Sequence, residues 1–482
     1  MSVRSSLVVV AALLAAAALP FGTAHAADEW EKSPVYAKWQ ALGGAAFAGD
    51  KVGDEVVERD GKRWAKFSKY DIVITWRESA GAHWFSGAIS RRWFFGSGSG
   101  PVAVTDQVQV NRGAQAGASV DFEYGSSVFY SDAYGAFWVH GTERYTYLGN
   151  GGPTGKFGWP TSDLLPVGER LGWEQRFSEA VSTYREPERS AVWISGALRD
   201  RFREELAAGR RNWPAGDQLQ RAGNGWSIRM NRGAIYWSTQ TGARLLDYEA
   251  SNALESNGGP GGQFGYPATD TTAHDGGFTT DFVNKTTVYL GPADDGAFWI
   301  SGRVRDEYGM QGGLAGPLGW PRSSQTPAPG TDGVYVLFGD ARDKVILWGP
   351  RTGGHLVRGQ ILEELRGGGD VAVYGLPQTG EWIQPTFTFQ QFEFASIFPM
   401  GTATHTLGWD FRDIWWQTGG TESPLGLVAS DALEVQPKVF HQQFTNGWIT
   451  CDYNGGQCVY SVTGSKAQPQ TQFHTTTSGP RR

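Results

Sequence analysis

Only two cysteines and four methionines occur in 482 residues, and the histidines number eight. Seven of them, His83, His140, His274, His355, His405, His441 and His474, follow the leader, and none forms a His-x-x-x-His pair, so no zinc-hydrolase ligand set and no metal cofactor is expected. A Gly-x-Ser-x-Gly nucleophile elbow is absent as well. Positive charge is also scarce: 42 Lys and Arg face 49 Asp and Glu, for a net charge of −7. With no basic stripe to neutralise phosphates, nucleic acid is excluded as a partner. The one long apolar run, residues 7–19, is too short to span a bilayer. It follows Arg4 and precedes Ala24-His25-Ala26, the small-x-small form of a cleavage site, so residues 1–26 are expected to be a signal peptide. The product is then secreted, extracellular or wall-associated, without membrane insertion.

What is abundant is glycine, at 67, and tryptophan, at 21. Much of the glycine falls in one recurring stretch. GPTGKFGWPTSD at 152–163 resembles a phosphate loop only in Gly155-Lys156, because Asn150 stands where the first glycine belongs and Phe157 where a magnesium-holding hydroxyl belongs. The stretch returns as GPGGQFGYPATD at 259–270 and GLAGPLGWPRSS at 313–324, with weaker copies at 369–380 and 420–431 and a shortened one at 209–217. A second signature lies between the copies, as in GAFWVHGTERYTY from Gly135 and GAFWISGRVRDEY from Gly296. Its helix-opening positions, Pro34, Gly87, Gly141, Gly196, Asp247, Gly302, Gly359 and Gly408, are about 53 residues apart.

That period predicts a β-rich repeat protein of eight units over residues 27–462, in a propeller-like stacked or closed array. Each unit reads as a short helix plus two or three strands. Residues 197–206, with Leu198, Phe202 and Leu206 at helical spacing, give one helix, and 234–246 read as a hairpin. A unit this small cannot bury its own apolar face, so neighbours must stack. Cys451 and Cys458 flank an Asn-Gly-Gly turn and read as a disulfide clamping the last hairpin. Free thiols or half of a metal site are the alternatives. Residues 463–482 are polar and aperiodic and are expected to be a disordered tail.

The motif residues Gly158, Pro160, Asp163, Gly265, Pro267, Asp270, Gly319 and Pro321 read as structural. Acids recurring once per unit suit a turn or helix cap better than a hydrolytic pair, which needs two carboxyls about 5–10 Å apart. No catalytic residue is assigned, and no enzyme is expected. The strand before each helix is more suggestive. Trp84, Trp138, Trp193 and Trp299 occupy one equivalent position, and strand alternation puts them on the face of Ser86, His140, Ser195 and Ser301. Phe85, Val139, Ile194 and Ile300 take the opposite face and read as core. An indole beside polar groups suits a sugar ring, and an indole filling the gap between units suits packing. Both readings stay open here.

FGWPTSD, FGYPATD and LGWPRSS, followed by an AIYW-type strand and a TGA-type turn, resemble the LGFP repeat of actinobacterial cell-envelope proteins. The likeness runs over about 34–462. It implies wall attachment and binding of an arabinogalactan-like polysaccharide through several similar sites, without an enzyme, since the catalytic domains that accompany the repeat are absent from these residues. Tryptophan at the Trp84 position departs from the family pattern, where that residue is small or polar. Two other readings remain: an extracellular protein-interaction scaffold, and a cryptic hydrolase in the seventh unit, where Phe387, Phe389, Phe392, Phe394 and Phe398 cluster.

Overall fold

The computed structural model describes residues 29–94, 99–168, 171–292 and 296–464, and the backbone of Gln468–Gln470. The signal peptide expected at 1–26 lies outside them, as do residues 471–482. Two compact units divide the chain, Met1–Arg211 and Asn212–Arg482. The first holds three sheets, at 51–85, 108–140 and 165–195, and the second holds five, at 219–246, 272–301, 326–358, 382–408 and 433–470.

Seven of these sheets are four-stranded and the eighth has five strands, each a meander in chain order with every pair antiparallel. This is the blade pattern of β-propellers, repeated eight times, as the period predicted. The strand count per unit is corrected to four. The strand missed by sequence reading is the first of each sheet, which carries no buried residue and in several sheets is only two or three residues long, as in Leu219–Arg221 and Thr272–His274. Without a buried face it has no hydrophobic alternation to betray it. Gln468–Gln470 pairs beside Gln457–Val462, so three residues of the expected tail extend the last sheet. Cys451 and Cys458 face each other across adjacent strands of that sheet and are bonded, as expected.

Within each of the two units, cores join consecutive sheets, so a repeat buries its apolar face against its neighbour. In the first unit Val73, Phe85, Ile89 and Trp93 pack on Ala118, Val120, Phe122 and Val128 of the next sheet. In the fourth strand of each of the first seven sheets the last or next-to-last residue is fully buried: Phe85, Val139, Ile194, Leu246, Ile300, Val357 and Leu407 are all at 0% exposure. Each such side chain contributes roughly 1.5–3 kcal/mol. Two residues later the chain turns into a helix. Gly87, Gly141, Gly196, Gly302 and Gly359 make that turn with φ between 53 and 59°, a left-handed conformation that favours glycine. The helices that follow the fourth and seventh sheets begin at Tyr248 and Trp409, one residue after the openings expected, with Asp247 and Gly408 as their N-caps.

The opening motif locks one sheet to the next. Pro160, Pro267 and Pro321 each form an isolated bridge to the residue after a second strand or at its end, Phe177, Phe282 and Phe338. Trp159 and Tyr266 are buried, and they lean on glycines of the preceding sheet. A Cβ on Gly117 would sit 2.3 Å from Trp159, one on Gly225 2.0 Å from the Tyr266 hydroxyl, and one on Gly277 2.6 Å from Trp320. Close approach, as well as turn geometry, therefore fixes glycine at these places.

Candidate functional site

The four equivalent tryptophans do not form four equal platforms. Trp193 is 8% exposed, packs on Phe157 at 5.8 Å, and has the Lys156 ammonium 3.5 Å from its ring centroid. A cation and a core already occupy its ring, which favours packing of the two readings left open for this position. Trp84 meets Phe47 edge-on at 5.2 Å and Trp299 meets Phe264 at 5.4 Å, both half-buried. Phe157 and Phe264 stand at the motif of the same unit, and Phe47 lies in the short helix Ala45–Ala48 just before the first sheet, so three indoles mainly seal their own repeat.

Their polar neighbours are also engaged. Ser86 donates its N–H and hydroxyl to Oε1 of Gln107, at 2.8 and 3.4 Å, and Ser301 does the same to Gln325, at 3.1 and 3.3 Å. Ser195 occupies the N-cap position of the helix Gly196–Ala207, half-buried and without a capping bond from its hydroxyl. The motif acids explain the tryptophan backbone. Asp106 accepts the N–H of Trp84 at 3.2 Å and Asp163 that of Trp138 at 3.0 Å. Asp270 and Asp431 accept those of Leu245 and Thr406, both at 2.8 Å. Where the sixth copy has serine, Ser324 accepts from Trp299 at 3.3 Å. These acids are structural, as read, but they reach back to the preceding sheet instead of closing their own turn.

Trp138 likewise packs on a core ring, Phe122 at 5.0 Å, but together with His140 it also borders open space. The indole and imidazole rings stack at 5.7 Å and 13°, and both line an open recess of about 450 Å³ between the first and second sheets. Sheet one supplies Asp60, Lys62 and Arg77, the following loop Ser99, Gly100 and Pro101, and sheet two Glu123, Tyr124 and Ser126. Tyr124 is 81% exposed at the tip of a hairpin. Arg77 bridges the two sheets: its Nη2 binds Asp60 and its Nη1 binds Glu123 at 2.7 Å. Lys62 is buried and held by Glu58 at 2.9 Å, the Ser99 hydroxyl at 2.8 Å and the Gly100 carbonyl at 3.0 Å.

Neighbouring groups desolvate the inner side of the His140 ring and lower its pKa, against the pull of the Asp163 and Glu143 carboxylates, while the residue as a whole stays exposed. At neutral pH the ring is therefore uncharged, with one donor and one acceptor nitrogen. The Lys62 main-chain N–H, with lesser help from the Arg77 charge, holds the Asp60 carboxyl below the usual carboxylate range. The phenylalanines of the seventh unit are core as well: Phe389, Phe392 and Phe398 are all at 0% exposure. Among the described residues no cluster of ligating side chains could hold a metal ion, and no helix is long and apolar enough to cross a membrane.

Sequence reading found Trp138 and His140 through their place in the repeat. It missed Asp60, Arg77, Glu123 and Tyr124, which belong to no recurring motif. A second recess of about 430 Å³, around Asp343, Lys344, Arg358, Glu381 and Ile383, lies in the other unit and has no tryptophan or histidine in its wall.

The LGFP repeat family model matches residues 264–316 and 318–369, so these two stretches are LGFP repeats, beginning at the motif residues Phe264 and Leu318. No curated protein matches the chain. Among solved structures, similarity is found to virginiamycin B lyase from Staphylococcus aureus, at 8% identity over 70% of this chain and 90% of that one, with a TM-score of 0.11. BamB from Moraxella catarrhalis is similar at 9% identity over 71% and 83%, with a TM-score of 0.11. The Swd1 β-propeller domain of Myceliophteria thermophila is similar at 9% over 71% and 95%, with a TM-score of 0.12. Scores this low carry no conclusion about this chain, whose blade pattern rests on its own strand pairing.

Proposed function

We propose that the protein is a secreted, non-catalytic repeat protein that binds cell-wall polysaccharide. The observation that carries this reading is the recess of the first unit, where a stacked indole and imidazole and an exposed tyrosine stand beside carboxylates. An aromatic surface takes the C–H face of a sugar, and carboxylates take its hydroxyls. The LGFP repeats support the setting. Weaker contacts along the array add avidity, which raises apparent affinity about 10²- to 10⁴-fold when the ligand spans the sites.

The test is retention of the chain from Ala27 onward on insoluble cell wall, before and after the polysaccharide is stripped from peptidoglycan. Retention lost on stripping supports the reading, and no retention on either wall refutes it. A second reading, a scaffold for another extracellular protein, draws on exposed apolar residues at the first strand of the seventh sheet, Trp382 at 46% and Ile383 at 65%. Release by free sugar favours the glycan, and indifference to sugar favours the scaffold.

A further inference from the structure

We propose that the recess between the first and second sheets takes a neutral sugar with adjacent hydroxyls, gripped by the carboxylates of Asp60 and Glu123. This rests on the glycan-binding reading above and goes further by naming the class of sugar and the residues that select it.

The selection follows from how charge is arranged in the wall. The recess has two cations, and both are engaged within the protein. Arg77 lies between Asp60 and Glu123 and also reaches the Tyr124 hydroxyl at 3.4 Å. Lys62 is enclosed by Glu58, Ser99 and Gly100. Neither turns a free charge toward a sugar carboxylate or a phosphate, which would instead meet the exposed carboxylate of Asp60 and, deeper, that of Glu123, 13% exposed at its side chain. Their oxygens are acceptors only, each carboxylate offering about four lone-pair sites. Asp60 is 57% exposed at its side chain, so it has lone pairs to offer beyond its bonds to Arg77 and the Lys62 N–H.

Donors that match such acceptors are hydroxyl groups, and two carboxylates tied to one guanidinium suit hydroxyls on adjacent carbons. Arg77 also fixes the two acids in place, which limits the ordering cost of binding. The uncharged His140 ring then offers its outer face, Trp138 backing the inner one at 5.7 Å. Exposed Tyr124 lines the same recess.

The experiment is calorimetric titration of the intact chain with a soluble neutral arabinogalactan, and in parallel with polygalacturonate and inorganic phosphate. The neutral polymer should bind, and the two anions should not. Asp60→Asn and Glu123→Gln should each weaken binding about tenfold or more, as should Tyr124→Ala, a change at an exposed tip that leaves folding intact. Tighter binding of polygalacturonate or phosphate overturns the inference, as does unchanged affinity in the Tyr124→Ala and Asp60→Asn proteins. Retention on cell wall with no measurable affinity for the neutral polymer also overturns it, while leaving wall binding itself standing. Loss of both removes the two together.

Discussion

Removing the Glu174 carboxylate tests whether the third sheet is held by a buried ionic network. Glu174 lies on the second strand of that sheet, Gly172–Arg176, at 1% exposure. Its Oε1 accepts from Ser182 Oγ at 2.9 Å, Tyr184 Oη at 2.8 Å and Arg203 Nε at 2.9 Å, and its Oε2 accepts from Arg176 Nε at 3.0 Å. Arg203 comes from the following helix, so the network joins helix to sheet. Breaking a buried pair costs about 3–5 kcal/mol. Arg203 and Arg176 keep side-chain exposures of 33% and 49%, so water partly rescues them, and the lower end, about 3 kcal/mol, applies to Glu174→Ala. For a unit of this size that lowers the melting temperature by about 6–12 °C. The pH dependence has a definite sign. Burial alone would raise the Glu174 pKa, but bonds from Arg203, Tyr184 and Arg176 outweigh it and hold it below the ordinary value. A depressed folded-state pKa contributes stability that is present above the unfolded value, about 4.3, and lost as pH falls through the folded one. The melting gap between native protein and Glu174→Ala should be flat from pH 8 to 6 and narrow below about pH 4. A gap under 1 °C at pH 7, or one that persists undiminished at pH 3, would refute the reasoning.

Gly117→Ala places a Cβ 2.3 Å from both Trp159 and the Tyr130 carbonyl, and should cost about 1–3 kcal/mol by overpacking, read from denaturant midpoints. An unchanged midpoint would mean that the aromatic lock is loose. Ala180 holds a left-handed φ of 56°, and its carbonyl accepts the N–H of helix-opening Gly196 at 3.3 Å. Ala180→Gly removes a strain of about 1–2 kcal/mol against a smaller entropic loss, so it should raise the melting temperature by a few degrees at most.

Part of this protein was set by the order of its residues. The period, the blade-like β class, the burial of Phe85, Val139, Ile194 and Ile300, and the cross-strand bond of Cys451 to Cys458 all follow from local spacing, because strand alternation and turn chemistry act between near neighbours. The structural character of the motif was legible for the same reason: an acid or proline repeated in every copy serves every copy.

Other features depended on contacts between distant residues, which leave no periodic trace. Asp163 binds the Trp138 amide 25 residues earlier in the chain, and Arg77 joins Glu123 across 46. Trp193 and Trp138 share one place in the repeat, yet Lys156 covers the first and His140 lines a recess with the second. Identical positions thus acquired different environments from neighbours that do not repeat. The same holds for the division at Arg211, which the uniform period conceals, and for a recess built from Asp60, Arg77, Glu123 and Tyr124. Sequence fixed the blades, because each is a local alternation of faces; packing between successive sheets decided which surface stayed open, because only there do side chains far apart in the chain meet.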